Sequence, residues 1–194
     1  MPHRLMLVGL PVILLTAMLA AVVCAETASA PQAAAAAPAA GSMSKLLDQT
    51  RLPDLESTVA SLRERMGAKG LLIVFVDTTC PFAATAIKEM STVASVLAKQ
   101  NVNSLLININ EPGQVVKDFY ASHPAGVPVL YDSGKDTQTA WAVTAVPTVI
   151  VVNAAGDTVY RGTAVWADVA AAVEKDLKLS PGTINFTVQG TGKG

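Results

Sequence analysis

Apolar residues follow several rhythms along this chain, and each rhythm predicts a different element. From Pro53 onward Leu55, Val59, Leu62 and Met66 recur at helical spacing, with Arg63, Glu64 and Arg65 turned away. That pattern predicts an amphipathic helix broken by Gly67 and Gly70. Leu71 to Val76 is instead an unbroken apolar run, the signature of a strand buried on both faces of a mostly parallel sheet. It stops abruptly at Asp77-Thr78-Thr79-Cys80-Pro81. Phe82, Ala86, Met90, Val93 and Leu97 then return to helical spacing, and Pro81 suits a first helical turn, where its missing N–H costs nothing.

Further along, Leu105, Ile107 and Ile109 alternate in a strand over 104–110, followed by a short helix over 114–121. A short strand over 127–131 and a helix over 137–143 come next. Residues 147–152 and 158–161 flank Asn153-Ala154-Ala155-Gly156, which predicts strand, turn and strand. Trp166, Val169, Val173 and Leu177 form the stripe of a last helix, with Asp168, Glu174, Lys175 and Lys178 outside it. Strands alternating with helices, then a closing hairpin and helix, predict an α/β fold with a mixed central sheet between helices.

The two ends read differently. His3 and Arg4 precede an uncharged run from Leu5 to Ala25, so residues 1–25 are expected to be a signal peptide or membrane anchor. Small-residue patterns at Val23-Cys24-Ala25 and Ala28-Ser29-Ala30 suit cleavage, and cutting at either would remove Cys24. The run is also long enough to span a bilayer if left uncut, and Cys24 is a lipid-attachment candidate despite the bulky Val23 before it. Each alternative puts the rest of the chain outside the cytoplasm, in a bacterial periplasm, tethered or free. Residues 26–42 are dominated by Ala and Pro and read as a linker. The domain is expected over 43–180, with a flexible tail over 181–194 that carries an edge strand near Ile184 to Val188.

Composition narrows the function. A net charge of -1 and scattered Lys and Arg residues give no basic surface for nucleic acid. With Cys24 removed, Cys80 is the remaining thiol, so any disulfide it makes joins a second molecule. His123 is the sole histidine outside the amino-terminal segment. One cysteine and one histidine are too few for a zinc or copper site, and no cofactor is expected.

The candidate chemistry therefore gathers on Cys80, at the point where a central strand gives way to a helix. Phe75-Val76-Asp77-Thr78-Thr79-Cys80-Pro81-Phe82-Ala83 at that junction, Val146-Pro147-Thr148 opening a later strand, and Asn153-Ala154-Ala155-Gly156-Asp157 in the following hairpin resemble the thioredoxin superfamily. The resemblance covers about residues 71–179 and implies the thioredoxin fold. It also implies that Cys80 is the catalytic nucleophile at a helix amino terminus and that the Val146–Pro147 bond is cis. A substrate-binding groove would then be formed by Thr79, Pro81, Val146 and Pro147.

Three departures qualify that likeness. The family's resolving cysteine is replaced by Ala83, its tryptophan before the first cysteine by Thr79, and its buried acid on the preceding strand by Val74. The resemblance thus implies exchange through one cysteine, with mixed disulfides to exported proteins or a small-molecule thiol resolved by an outside thiol. A redox-inactive binding module for an exported partner is the alternative, in which Cys80 is only a small packed side chain. A one-cysteine peroxidase is the other. For that the peroxiredoxin pattern wants proline and threonine or serine where this chain has Ile73 and Asp77, and neither Thr78, Thr79 nor Arg161 repairs the mismatch by spacing.

Overall fold

The computed structural model describes residues 40–184. Its five-stranded sheet has the order β5-β4-β3-β6-β7, built from β3 (Gly70–Val76), β4 (Val102–Ile109), β5 (Val129–Asp132), β6 (Thr148–Asn153) and β7 (Thr158–Gly162). Strand β3 pairs parallel with β4, and β4 parallel with β5. Strands β6 and β7 run antiparallel to their neighbours. The central position of β3 explains its composition, since all seven of its residues are buried and a strand with neighbours on both edges and helices on both faces has no place for a polar side chain.

The pleat divides that strand between two cores. Leu72, Val74 and Val76 join the buried residues of α2 (Ala83–Ala98) and α5 (Trp166–Asp176), together with Val116 and Tyr120 of α3 (Gly113–Ser122). Leu71, Ile73 and Phe75 face the other way, onto Met43 and Leu47 of α1 (Ala40–Gln49) and onto Trp141, which follows the short α4 (Asp136–Ala140). The Phe75 and Trp141 rings lie 5.9 Å apart, and the indole N–H donates to Thr50 Oγ1 at 2.8 Å. Each large side chain so buried contributes roughly 1.5–3 kcal/mol. No described helix is long and apolar enough to cross a membrane.

Several expectations need correction. Residues 53–66 are not a helix. Residues 51–65 form a hairpin of β1 (Arg51–Pro53) and β2 (Val59–Ser61) and then a 3-10 turn at Arg63–Arg65. Asp54 makes the turn, its Oδ1 accepting the amides of Glu56 at 3.1 Å and Thr58 at 2.8 Å while Ser57 takes a φ of 69°. The side chains that mimic a helical stripe do not share a buried face: Leu62 is fully buried, whereas Val59 is 53% exposed. Helix α1 was not expected, and it begins at Ala40, inside the stretch read as linker. Phe82 is not on the buried face of α2 but 67% exposed just before it.

The stretch expected to be a loose tail is held at its start. Ile184 is buried in the first core, and its amide donates to Glu174 Oε1 at 2.7 Å. The expected signal segment, residues 26–39 of the linker and residues 185–194 lie outside the described residues.

Candidate functional site

Sheet register brings three loops to one edge. In the parallel β3–β4 pair Val76 lies beside Asn108, so the chain just past each strand emerges side by side: Asp77 to Cys80 from β3, and Asn110 to Pro112 from β4. In the antiparallel pair Phe75 lies beside Thr148, so Val146 and Pro147 enter β6 next to the same loop. The Val146–Pro147 peptide is cis, and Cys80 Sγ is 4.0 Å from the Val146 carbonyl oxygen. Of the residues singled out in sequence, Cys80, Val146 and Pro147 are therefore brought together, all partly exposed. Thr79 and Pro81 flank Cys80 and are exposed. Cys80 is a free thiol that also packs against the first core.

The Cys80 loop is shaped by two carboxylates. Asp77 Oδ1 accepts the amides of Thr79 and Cys80, both at 2.8 Å, and the Thr79 hydroxyl at 2.7 Å. Asp and Asn favour this local turn because a short side-chain oxygen reaches amides two and three residues on. Glu111, from the loop after β4, accepts the Thr78 amide on Oε2 at 2.8 Å and the Thr78 hydroxyl on Oε1. The side-chain amide of Asn108 donates to the same Oε2. Glu111 and Asn108 are both buried, 7% and 1% exposed. Burial, with the Glu111 charge adding to it, pushes the nearby Tyr120 hydroxyl well above the usual phenol range.

Sequence reasoning missed Glu111 and Asn108. It placed the family's buried acid on β3, where Val74 stands, and did not look to the neighbouring strand. The available signal was topological: a polar Asn-Ile-Asn-Glu stretch ends the strand that pairs in parallel with the cysteine-bearing one.

Other polar and aromatic residues near the site serve packing and turns. Trp141 is fully buried. Trp166 is buried, with its indole N–H donating to Glu89 Oε2 at 2.9 Å. His123 stacks on Phe119 with ring centroids 4.3 Å apart at the end of α3. Asp132 accepts the amides of Gly134 and Thr137 in the turn before α4. Arg161 directs one guanidinium nitrogen at the carbonyls of Trp141, at 2.5 Å, and Ala142, at 2.7 Å. It therefore ties down the start of the loop that carries Pro147. Among the described residues no group of three His, Cys, Asp or Glu side chains is placed to hold a metal ion.

A model of the AhpC/TSA family matches residues 44–161, more than half of the chain and all of the site just described. The chain belongs to the AhpC/TSA family. Among curated proteins, the thiol-disulfide oxidoreductase ResA of Halalkalibacterium halodurans is 31% identical over 108 residues, covering 56% of this chain and 61% of that protein. The match thus spans under two thirds of that relative's length. Among solved structures, a protein of Sinorhizobium meliloti 1021 superposes with a TM-score of 0.60 at 23% identity, covering 66% of this chain and 80% of the other. A secreted disulfide oxidoreductase of Mycobacterium tuberculosis gives 0.55 at 16% identity, covering 66% and 96%. At those identities the structural matches establish the fold alone, and the fold is that of thioredoxin. This AhpC/TSA member presents one cysteine at the strand-to-helix junction, with Ala83 three residues on at the start of α2.

Proposed function

We propose that this AhpC/TSA-family protein acts in thiol–disulfide exchange through Cys80 alone, forming mixed disulfides that an outside thiol resolves. The observation that carries the reading is the partly exposed Cys80, its thiol 4.0 Å from the Val146 carbonyl, beside the cis bond to Pro147. An extended partner segment laid against that loop brings its own sulfur to Sγ. The Cys80 thiolate attacks that sulfur, the partner's disulfide breaks, and the departing sulfur leaves with the electron pair. Ala83 offers no second thiol, so the mixed disulfide waits for an external one. The ResA match supports the reaction class. Thr79, Pro81, Val146 and Pro147 are the proposed contacts for the partner, an exported protein or a small-molecule thiol. The proposed location is the periplasm, reached through the amino-terminal segment as a cleaved signal or an anchor.

A binding-only role is the competing reading, and the exposed Phe82 ring beside Pro81 favours it, because it offers a partner apolar contact that needs no chemistry. The peroxidase reading gains nothing from Arg161, whose guanidinium faces the Trp141 and Ala142 carbonyls.

The test is incubation of the protein with glutathione disulfide, followed by mass spectrometry. The expected outcome is one glutathione per chain on Cys80, its release by added thiol, and complete loss of the adduct in Cys80→Ser. A wild-type protein that takes up no glutathione and traps no partner would defeat the exchange reading. Partner capture undiminished by Cys80→Ser would favour binding alone.

A further inference from the structure

A second cleft lies toward the other end of the sheet from Cys80. Strand β5 begins at Val129, opposite Leu106 of β4. From Val102 to Leu105, therefore, β4 has a strand neighbour in β3 and none on its other edge. Beside that open edge is a cavity of about 450 Å³, within the roughly 300–1,000 Å³ usual for small-molecule sites. Much of its wall is apolar: Ala94 and Ala98 from the second half of α2, Leu105 of β4, and Val127 and Pro128 just before β5. Ser104, also in the wall, is four residues before Asn108, the register partner of Val76 at the end of β3. At the rise of a strand this sets the cavity roughly 13 Å along β4 from the Cys80 loop.

Two donors at this cavity have no acceptor among the described residues. Ser104 sits between Val102 and Leu106, on the face that packs against α2, and is 9% exposed. Its hydroxyl makes no hydrogen bond there. Arg65, from the 3-10 turn, lines the same cavity with a buried Nε–H that is likewise unpartnered. A buried donor left without an acceptor costs stability, so two at one cavity point to an acceptor that a ligand brings. The surrounding charges select its kind. Asp54 already pairs with Arg65 through Nη2 at 3.1 Å. Helix α2 ends at Ala98 in the cavity wall, which turns the negative end of that helix toward the site. Lys99, the next residue, is exposed. A carboxylate here would have to share one guanidinium with Asp54, whereas a neutral oxygen would not.

We infer that this cavity binds a small uncharged molecule with an apolar body and a carbonyl oxygen. The two lone pairs of that oxygen accept from the Ser104 hydroxyl and the Arg65 Nε–H. The body lies against Ala94, Ala98, Val127 and Pro128. The site is separate from Cys80 and does not depend on the exchange reading.

The experiment titrates the isotope-labelled protein with cyclohexanecarboxamide and, in parallel, with cyclohexanecarboxylate, following backbone amide signals by NMR. The expected result is saturable shifts at Ser104, Leu105 and Val127 with the amide, unmoved signals at Thr79 and Cys80, and carboxylate binding at least about fivefold weaker. Ser104→Ala removes one donor, and Arg65→Lys removes the Nε–H while keeping a cation for Asp54. Each should weaken amide binding about fivefold, the worth of one hydrogen bond. Without the probe, Ser104→Ala should melt no lower than wild type, because its hydroxyl has no partner to lose. Shifts that do not saturate, or that centre on Cys80, would overturn the inference. So would a carboxylate that binds as tightly as the amide, or undiminished binding in both variants. A lower melting temperature for Ser104→Ala would also overturn it, since the hydroxyl would then serve the fold rather than a ligand.

Discussion

Asp54 and Asp77 do the same local work beside different partners. Each uses one carboxylate oxygen to gather two backbone amides, Glu56 and Thr58 in one case, Thr79 and Cys80 in the other. Asp54 then gives its second oxygen to Arg65 at 3.1 Å, in a pair that is 15–19% exposed. Burial pushes the Asp54 carboxyl up, but the Thr58 amide and Arg65 outweigh it and hold the group below the usual carboxylate range. Asp77 belongs to none of the ion pairs among the described residues and shares its loop with a second carboxylate, Glu111. The hairpin turn is built for stability alone. The turn at Cys80 rests on its amide hydrogen bonds, without such an ion pair among the described residues.

The comparison can be strained most by removing Glu111. Glu111→Ala leaves the Thr78 amide and the Asn108 side-chain amide without this acceptor, and the expected loss is about 2–3 kcal/mol of unfolding free energy, read from denaturant titration. A loss under about 1 kcal/mol would mean that Asp77 alone holds the loop. Next in size is Arg65→Met, which strips Asp54 of its counter-charge and should cost about 1–2 kcal/mol.

Acid sharpens the contrast further. Because the native Asp54 carboxyl is held below its ordinary value of 3.8, its contribution is complete above that value and is lost as pH falls through the lowered native one. Thermal melts of wild type and Asp54→Asn should therefore differ at neutral pH and draw together as the solution is acidified. Divergence on acidification would contradict the assignment. The smallest expected change is in the stability of Asp77→Asn, within about 0.5 kcal/mol of wild type, since both amides keep an acceptor. A much larger loss would make that aspartate as structural as Asp54.

How much of this was legible in the chain depends on the range over which each signal acts. The buried strand Leu71–Val76, the helix after Cys80 and the hairpin around Gly156 carry their patterns locally, and all three are present. The candidate residues Cys80, Val146 and Pro147 each sit in a short motif next to a strand end, which is why their meeting in the fold could be expected. The segment after Pro53 misled because residues spaced four, three and four apart also fit a hairpin followed by a 3-10 turn. The Asp54 turn, with its oxygen on the Thr58 amide, was the competing local signal. Glu111 was invisible for another reason: it lies 33 residues from Thr78 in sequence, and only the pairing of β3 with β4 makes them neighbours. Likewise Arg161 reaches the Trp141 and Ala142 carbonyls from the edge strand, a contact that no periodicity announces.

The seating of Ile184 sets where the gene can be shortened. Its side chain fills a place in the core shared by α2 and α5, and its amide occupies a Glu174 oxygen. A stop codon at position 181, the boundary that the glycine-rich sequence suggests, would uncover that place and leave the Glu174 carboxylate without its donor. One placed after Ile184 would keep both, so for protein engineering the domain runs past its last helix by eight residues, from Asp176 to Ile184.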